Sequence, residues 1–164
     1  MLARSFVLVL LAALGSGVMA GLFFVFSVAI MTALARLMPH EGVAAMQHIN
    51  AVILNPLFAL AFFGTAAVCL AVLIMGVWHW SRPGAAYLIL GAALYLVASI
   101  LVTLVFNVPL NDRLAATAAG TPEASALWRD YLVRWTQWNH VRVLGCMAAA
   151  ALLIVAMWHE GRSG

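Results

Sequence analysis

Lysine is absent from the sequence, and charged residues of both signs make up only 8% of it. The missing lysine excludes Schiff-base chemistry and leaves eight arginines as permanent cations. These arginines are isolated from one another, so the basic clusters that bind nucleic acid are absent too. The sequence therefore predicts no nucleic-acid partner, despite a net charge of +3.

The polar composition of a soluble domain is missing as well. Hydrophobic residues make up 66% of the chain, whereas charged residues alone are roughly a quarter of a typical soluble domain. Apolar runs of about 20 residues or longer recur, and each is enough to cross a hydrocarbon core of about 30 Å. The sequence predicts a multi-pass integral membrane protein of the cell membrane, with the lipid bilayer as its main partner.

Neither a disulfide nor a cleavable leader is indicated. Cys69 and Cys146 each lie inside an apolar run, where single buried thiols are typically inert. The apolar run that follows Arg4 passes the small residues near Ala20 and continues to Met31, which is too long for a signal peptide. We expect this run to be an uncleaved first transmembrane helix.

The apolar runs predict an all-α fold, an integral membrane four-helix bundle that forms a single transmembrane domain over residues 1–164. The predicted helices cover about 5–36, 41–78, 85–106 and 122–159. Helices two and four are longer than a bilayer requires at 1.5 Å per residue, so both should extend beyond it on one side. Pro56 is expected to kink helix two, and Thr121 to cap helix four.

Polar residues are concentrated at one depth of the predicted bundle, where helices two, three and four meet one membrane interface. Buried amides and imidazoles cost free energy in lipid unless they are hydrogen-bonded, so we expect a functional site at this depth. The polar residues there are His48, Asn50, Asn55, Asn107, Asn111, Asn139, His140 and Arg142.

A bulky stripe follows one face of helix four at 100° per residue. Such stripes are typical of packing or of interfacial aromatic belts. A lipid-facing belt does not require an amide and a guanidinium on the same face, however, so the stripe also fits the wall of a pocket for a flat, phenolic or anionic ligand. The stripe consists of Trp128, Tyr131, Trp135, Trp138, Asn139, Arg142 and Cys146.

His48 and His140 are candidate bases or metal ligands. Each could equally form a hydrogen bond between helices. Histidine is suited to removing a proton near neutral pH, and two histidines from opposed helices are able to hold haem or copper. Because spacings such as HxxxH and CxxCH are absent, the sequence leaves open whether a haem, a copper ion or no cofactor is used.

Four short stretches are specific in combination. They are GVMAGLFFVF from Gly17, MQHINAVILNPL from Met46, NVPLNDR from Asn107 and WTQWNHVR from Trp135. Together they resemble the anthrone-oxygenase-like family of small membrane proteins, over nearly the whole chain. The resemblance implies a four-helix membrane protein and, in the characterised branch, an oxidase that adds dioxygen to the activated methylene of an anthrone to make a quinone.

The resemblance and the polar layer together suggest a membrane oxidoreductase acting on a phenolic or enolisable lipophilic substrate. His48 or His140 would serve as base or ligand, and Arg142 would balance developing negative charge. The substrate would be held by Asn50, Asn107, Asn111, Trp135, Trp138 and Asn139.

Other functions and assemblies stay open. A non-catalytic protein would use the same polar layer to fix helix register, to bind a small ligand, haem or metal, or to support assembly. A channel is disfavoured because helices one and three carry no ionisable residue at mid-membrane. Small residues at Ala13, Gly17 and Gly21 are compatible with packing inside the bundle or with a homo-oligomer.

Overall fold

The computed structural model describes residues 3–162, and it is helical almost throughout. Four of its helices are long and apolar enough to cross a membrane, so the predicted all-α membrane bundle is confirmed. We number the helices α1 to α5, because the second predicted helix is divided. They are α1 (Ser5–Leu34), α2 (Pro39–Val52), α3 (Pro56–Trp78), α4 (Ala85–Ala115) and α5 (Pro122–Arg162).

The division between α2 and α3 replaces the kink expected at Pro56. Asn55 leaves the helical conformation and caps α3, since its Oδ1 accepts a hydrogen bond of 3.0 Å from the backbone N–H of Phe58. Its Nδ2 donates to the carbonyl of Val52 at the end of α2. Pro56 then occupies the first turn of α3, where its missing N–H is not needed. The predicted second helix is therefore interrupted at Asn55 and Pro56, and not merely kinked there.

Helix α4 does not end near Phe106 as predicted, but continues to Ala115. Wide π-helical turns at Tyr95–Leu101 and Thr103–Asn107 precede Pro109. A proline removes one backbone donor and crowds the preceding turn, and the wider turns accommodate it without ending the helix. At the other predicted boundary, the hydroxyl of Thr121 accepts a hydrogen bond of 3.1 Å from the N–H of Ala124, which confirms the cap of α5.

The bundle has two hydrophobic cores, one above the other. The first joins α1, α3, α4 and α5 around residues such as Met19, Cys69 and Leu153. The second joins the end of α1 to α2, the end of α4 and the first half of α5, around Trp128 and Leu114. Because the 41 residues of α5 extend about 60 Å, twice the apolar thickness of a bilayer, the second core belongs largely to a cap outside the membrane.

Helix α2 lies across this cap and is held by close contacts. Gly42 packs against the Trp128 ring, where a Cβ atom would come within 2.8 Å of the ring. The amide of Gln47 donates to the carbonyls of Leu114 and Thr117, at 2.8 and 2.9 Å. These carbonyls lie at the C-terminus of α4, where backbone acceptors lack helical partners. Gln47 therefore completes the end of α4 and fixes α2 on it.

Candidate functional site

The candidate site lies between the two cores, where α1, α4 and α5 meet. Arg142 precedes Trp158 by sixteen residues (158 − 142) on α5, which is about 24 Å along the helix. Trp158 is exposed at the end of the bundle that also carries Trp78 and Trp80, as expected for an interfacial aromatic belt. Arg142 is thus just inside the opposite boundary of the apolar layer.

The guanidinium of Arg142 is the centre of the site. The residue is only 5% exposed. One terminal nitrogen donates to Asn139 Oδ1 at 2.6 Å, and the other donates to the hydroxyl of Thr103 on α4 at 3.2 Å. The guanidinium carbon lies 4.2 Å from the ring centre of Phe23 and 5.0 Å from that of Trp135. Aromatic faces on two helices therefore stabilise this cation.

Asn139 connects Arg142 to α1. The residue is fully buried, and its Nδ2 donates to the carbonyl of Phe23 and to the hydroxyl of Ser27, both at 2.7 Å. Its amide therefore has hydrogen-bond partners on both sides, with Arg142 donating to the oxygen. Ser27 and Thr103 both lie in π-helical segments, which are frequent at functional sites.

Two amides of α4, those of Asn107 and Asn111, converge on Trp135. Asn107 Nδ2 donates to the backbone carbonyl of Trp135 at 3.2 Å. Asn111 Oδ1 accepts from the indole N–H of Trp135 at 2.9 Å and from the hydroxyl of Tyr131 at 2.8 Å. These bonds orient the aromatic wall above Arg142. Asn50 of α2 lies beside the Tyr131 side chain.

Two buried polar atoms of the site have no hydrogen-bond partner among the described residues: Arg142 Nε and Asn107 Oδ1. Among the residues that the structure describes, the ion pairs join Arg82 to Glu160 and Arg134 to Asp130. No described carboxylate therefore neutralises Arg142. A buried cation without an anionic partner is costly. The cluster therefore has one uncompensated positive charge, one buried donor without a partner and one buried acceptor without a partner.

The predicted histidines lie outside this cluster. His48 and His140 are both exposed, and neither has a hydrogen bond or an ion pair within the described residues. His140 follows Asn139 on α5 and consequently points away from the buried stripe. Trp138 is half-buried and stacks on Phe106, with ring centres 3.5 Å apart. Neither histidine contacts Arg142.

Haem or copper binding through His48 and His140 does not fit this arrangement. The described residues contain no group of three or more histidines, cysteines or acids able to hold a metal ion. The two imidazoles are on exposed surfaces, without the hydrogen-bonded outer shell that orients metal-binding histidines.

Three members of the cluster could not be recognised from the sequence. Phe23, Ser27 and Thr103 lie in apolar runs and resemble the residues around them. Ser and Thr are common in transmembrane helices, because each satisfies its hydroxyl on the helix itself. Only the approach of α1 and α4 to Arg142 distinguishes these residues.

An open groove of about 370 Å³ begins at Ser27 and leads away between α1 and α5. Arg36 contributes a positive charge to its lining. A ligand in the groove would reach the hydrogen-bonded chain of Ser27, Asn139 and Arg142 from the side. The remaining lining residues are Met31, Thr32, Ala35, Leu132 and Thr136.

The fold and site define a membrane helical bundle with a buried, aromatic-lined arginine near one interface. Residues 57–152 match the family model described as anthrone oxygenase, which is more than half of the chain. The chain therefore belongs to the anthrone oxygenase family. The match includes Arg142 and its contacts on α4 and α5, but not α1 or α2. No curated protein and no solved structure matches the chain.

Proposed function

We propose that this protein is an oxygenase that converts the activated methylene of an anthrone-like, lipophilic aromatic substrate into a carbonyl group, with Arg142 binding the substrate oxygen that becomes negatively charged. The observation that carries the proposal is the buried Arg142 guanidinium, which lies against two aromatic rings and has no described carboxylate partner. Membership of the anthrone oxygenase family supports the reaction class.

The main requirement of this reaction is stabilisation of the anion that forms when the substrate loses a proton. A base removes one proton from the methylene, and the negative charge moves to the carbonyl oxygen of the substrate. In the net reaction one O₂ is consumed, two C–H bonds are broken and one C=O bond is formed, while the second oxygen atom leaves as water. Arg142 stabilises the enolate by charge and by its unpartnered N–H, in a site with little competing water.

The aromatic residues favour a flat substrate. Phe23 and Trp135 flank the guanidinium, and Trp135 is held in place by Asn111. A substrate in the groove between α1 and α5 would contact Ser27, whose hydroxyl accepts a hydrogen bond from Asn139. We keep His48 and His140 as candidate bases, but their exposure makes Arg142 the residue whose loss should reduce the rate most.

The test uses oxygen consumption by purified protein in detergent, with a dihydroxyanthrone as the probe. Arg142→Gln should lower kcat/KM by about 100-fold, the usual effect of losing one oxyanion donor. Arg129→Gln is the matched control, because Arg129 is an exposed arginine on the same helix and should leave the rate unchanged. Wild-type kcat/KM in a correctly folded Arg142→Gln variant would contradict the proposal.

Histidine variants distinguish the base. If His48→Ala or His140→Ala lowers the rate about as much as Arg142→Gln, that histidine removes the proton. If both retain the wild-type rate and its pH profile, the base assignment to histidine is lost, while the role of Arg142 stands.

A second candidate function, that of a non-catalytic membrane protein, is favoured by the hydrogen bonds that connect the helices. Asn139 joins α5 to α1, and Asn107 joins α4 to α5. Such buried polar contacts fix helix register in a non-catalytic membrane protein. In that case the wild-type protein would not accelerate oxygen consumption at all, and Arg142→Gln would lower thermal stability without any catalytic effect.

A further inference from the structure

A cavity that contains charged and polar side chains lies at the opposite end of the bundle from Arg142. Its volume is about 80 Å³, which equals two to three water molecules at roughly 30 Å³ each. It is close to Trp78, Trp80 and Trp158, which are exposed where head groups meet the apolar layer. The cavity is lined by Ser5, Met75, His79, Arg82, Ala85, Leu88 and Glu160.

Glu160 gives this cavity its chemical character. The residue is only 7% exposed, although it lies near the end of α5. Its Oε2 is 3.7 Å from a terminal nitrogen of Arg82. Its Oε1 is buried and has no hydrogen-bond partner among the residues that the structure describes. A buried carboxylate oxygen without a donor is costly, so the cavity is suited to a group that brings an N–H.

The backbone leaves space for this carboxylate. Gly84 precedes the first residue of α4, and a Cβ atom there would lie 3.0 Å from Glu160 Cγ and 3.3 Å from its Oε1. The carbonyl of Ala156 would be equally close, at 3.0 Å. The absence of a side chain at this position allows Glu160 to fold back into the cavity.

Arg82 supplies the complementary charge. Its side chain is 44% exposed, so one end of the guanidinium faces Glu160 while the rest is accessible at the head-group level. A ligand that places an ammonium in the cavity and a phosphate just outside it would meet Glu160 and Arg82 in that order. The ethanolamine and choline head groups of phospholipids carry an ammonium and a phosphate that are joined by a two-carbon arm.

We propose that this cavity binds the head group of a phospholipid with a primary ammonium, which donates to Glu160 Oε1 while its phosphate contacts Arg82. The ammonium and its two-carbon arm comprise three non-hydrogen atoms, matching the two to three waters that fit. A trimethylammonium group is larger and carries no N–H to donate. The cavity therefore discriminates phosphatidylethanolamine from phosphatidylcholine.

The test is native mass spectrometry of the full-length protein in detergent, with phosphatidylethanolamine and phosphatidylcholine of identical acyl chains. Phosphatidylethanolamine should bind at least about tenfold more tightly, as expected for one hydrogen bond to a charged group. Glu160→Gln should abolish this preference. Glu123→Gln is the matched control, because Glu123 is exposed at the far end of α5, and it should retain the preference.

The wild-type protein alone can overturn the proposal. Equal binding of the two lipids would exclude recognition of the ammonium, whether or not Glu160→Gln folds. A competition measurement with free phosphoethanolamine distinguishes a lipid from a soluble amine. If phosphoethanolamine displaces the lipid at equal concentration, the cavity recognises a soluble amine rather than a lipid, and the lipid proposal is wrong.

Discussion

At the scale of single residues, the site depends on amides that satisfy several partners at once. Asn139 receives a hydrogen bond from Arg142 and donates two to α1. Asn111 accepts two from α5. An asparagine has a carbonyl oxygen and two N–H groups on a short side chain, so it can serve two helices without the charge that a carboxylate would bring next to Arg142. The described partners of the Arg142 guanidinium are therefore neutral polar or aromatic groups.

Asn111→Ala is predicted to destabilise the protein by removing the acceptor for Tyr131 and Trp135, two residues at most 4% exposed. Each buried donor left without an acceptor costs about 1–3 kcal/mol. The midpoint of thermal unfolding in detergent measures the effect. Asp112→Ala is the control, since Asp112 is the exposed neighbour on α4 and should change the midpoint little.

At the scale of helices, close packing depends on a few glycines. Gly145 of α5 faces Ala98 of α4, and a Cβ atom on Gly145 would overlap the Ala98 side chain. Gly17 of α1 has nothing within 4 Å of the position its Cβ would take. The two glycines therefore have different roles, although both interrupt apolar runs in the same way. Small residues at helix crossings allow backbones to approach closely in a membrane.

Gly145→Ala is predicted to lower stability by about 1–3 kcal/mol, the usual cost of overpacking, because α4 and α5 must separate. Gly17→Ala should be neutral or slightly stabilising, since alanine favours helix over glycine by about 1 kcal/mol. Thermal unfolding of both variants in the same detergent makes the comparison. Equal effects at the two positions would contradict the packing of α4 on α5.

At the scale of the whole molecule, the protein has an apolar bundle and a helical cap on one side of it. The cap contains the ends of α1 and α4, all of α2 and the first half of α5. The candidate site lies where the cap meets the bundle, and the Glu160 cavity lies at the other end. The two polar regions of the molecule are therefore near opposite interfaces of the apolar layer.

This arrangement predicts that Ser81 and Ala119 face opposite sides of the membrane. Both are exposed, in the turn before α4 and in the connection before α5. Single cysteines at these positions should react with a membrane-impermeant maleimide from opposite sides of sealed vesicles. The wild-type protein is the control, because Cys69 and Cys146 are buried and should remain unlabelled. Labelling of both variants from one side would contradict four crossings.

The sequence by itself determined the membrane bundle and the depth of the polar layer. Long apolar runs allow few alternatives, because every backbone polar group in lipid must be satisfied within a helix. The stripe predicted at 100° per residue on α5 has seven members, of which Trp138 is half-buried. The other six are buried: Trp128, Tyr131, Trp135, Asn139, Arg142 and Cys146. Local rules were sufficient for these features.

Only the tertiary structure decided which polar residues act together. The sequence ranked His48 and His140 with Arg142, but rotation of α2 and α5 leaves both histidines exposed. Ser27 and Thr103 belong to the site because α1 and α4 pack against α5 near Arg142. Both residues are more than thirty positions away from their partners along the sequence. Contacts of this kind depend on packing between helices, and the periodicity of a single helix contains no information about which neighbour its face will meet.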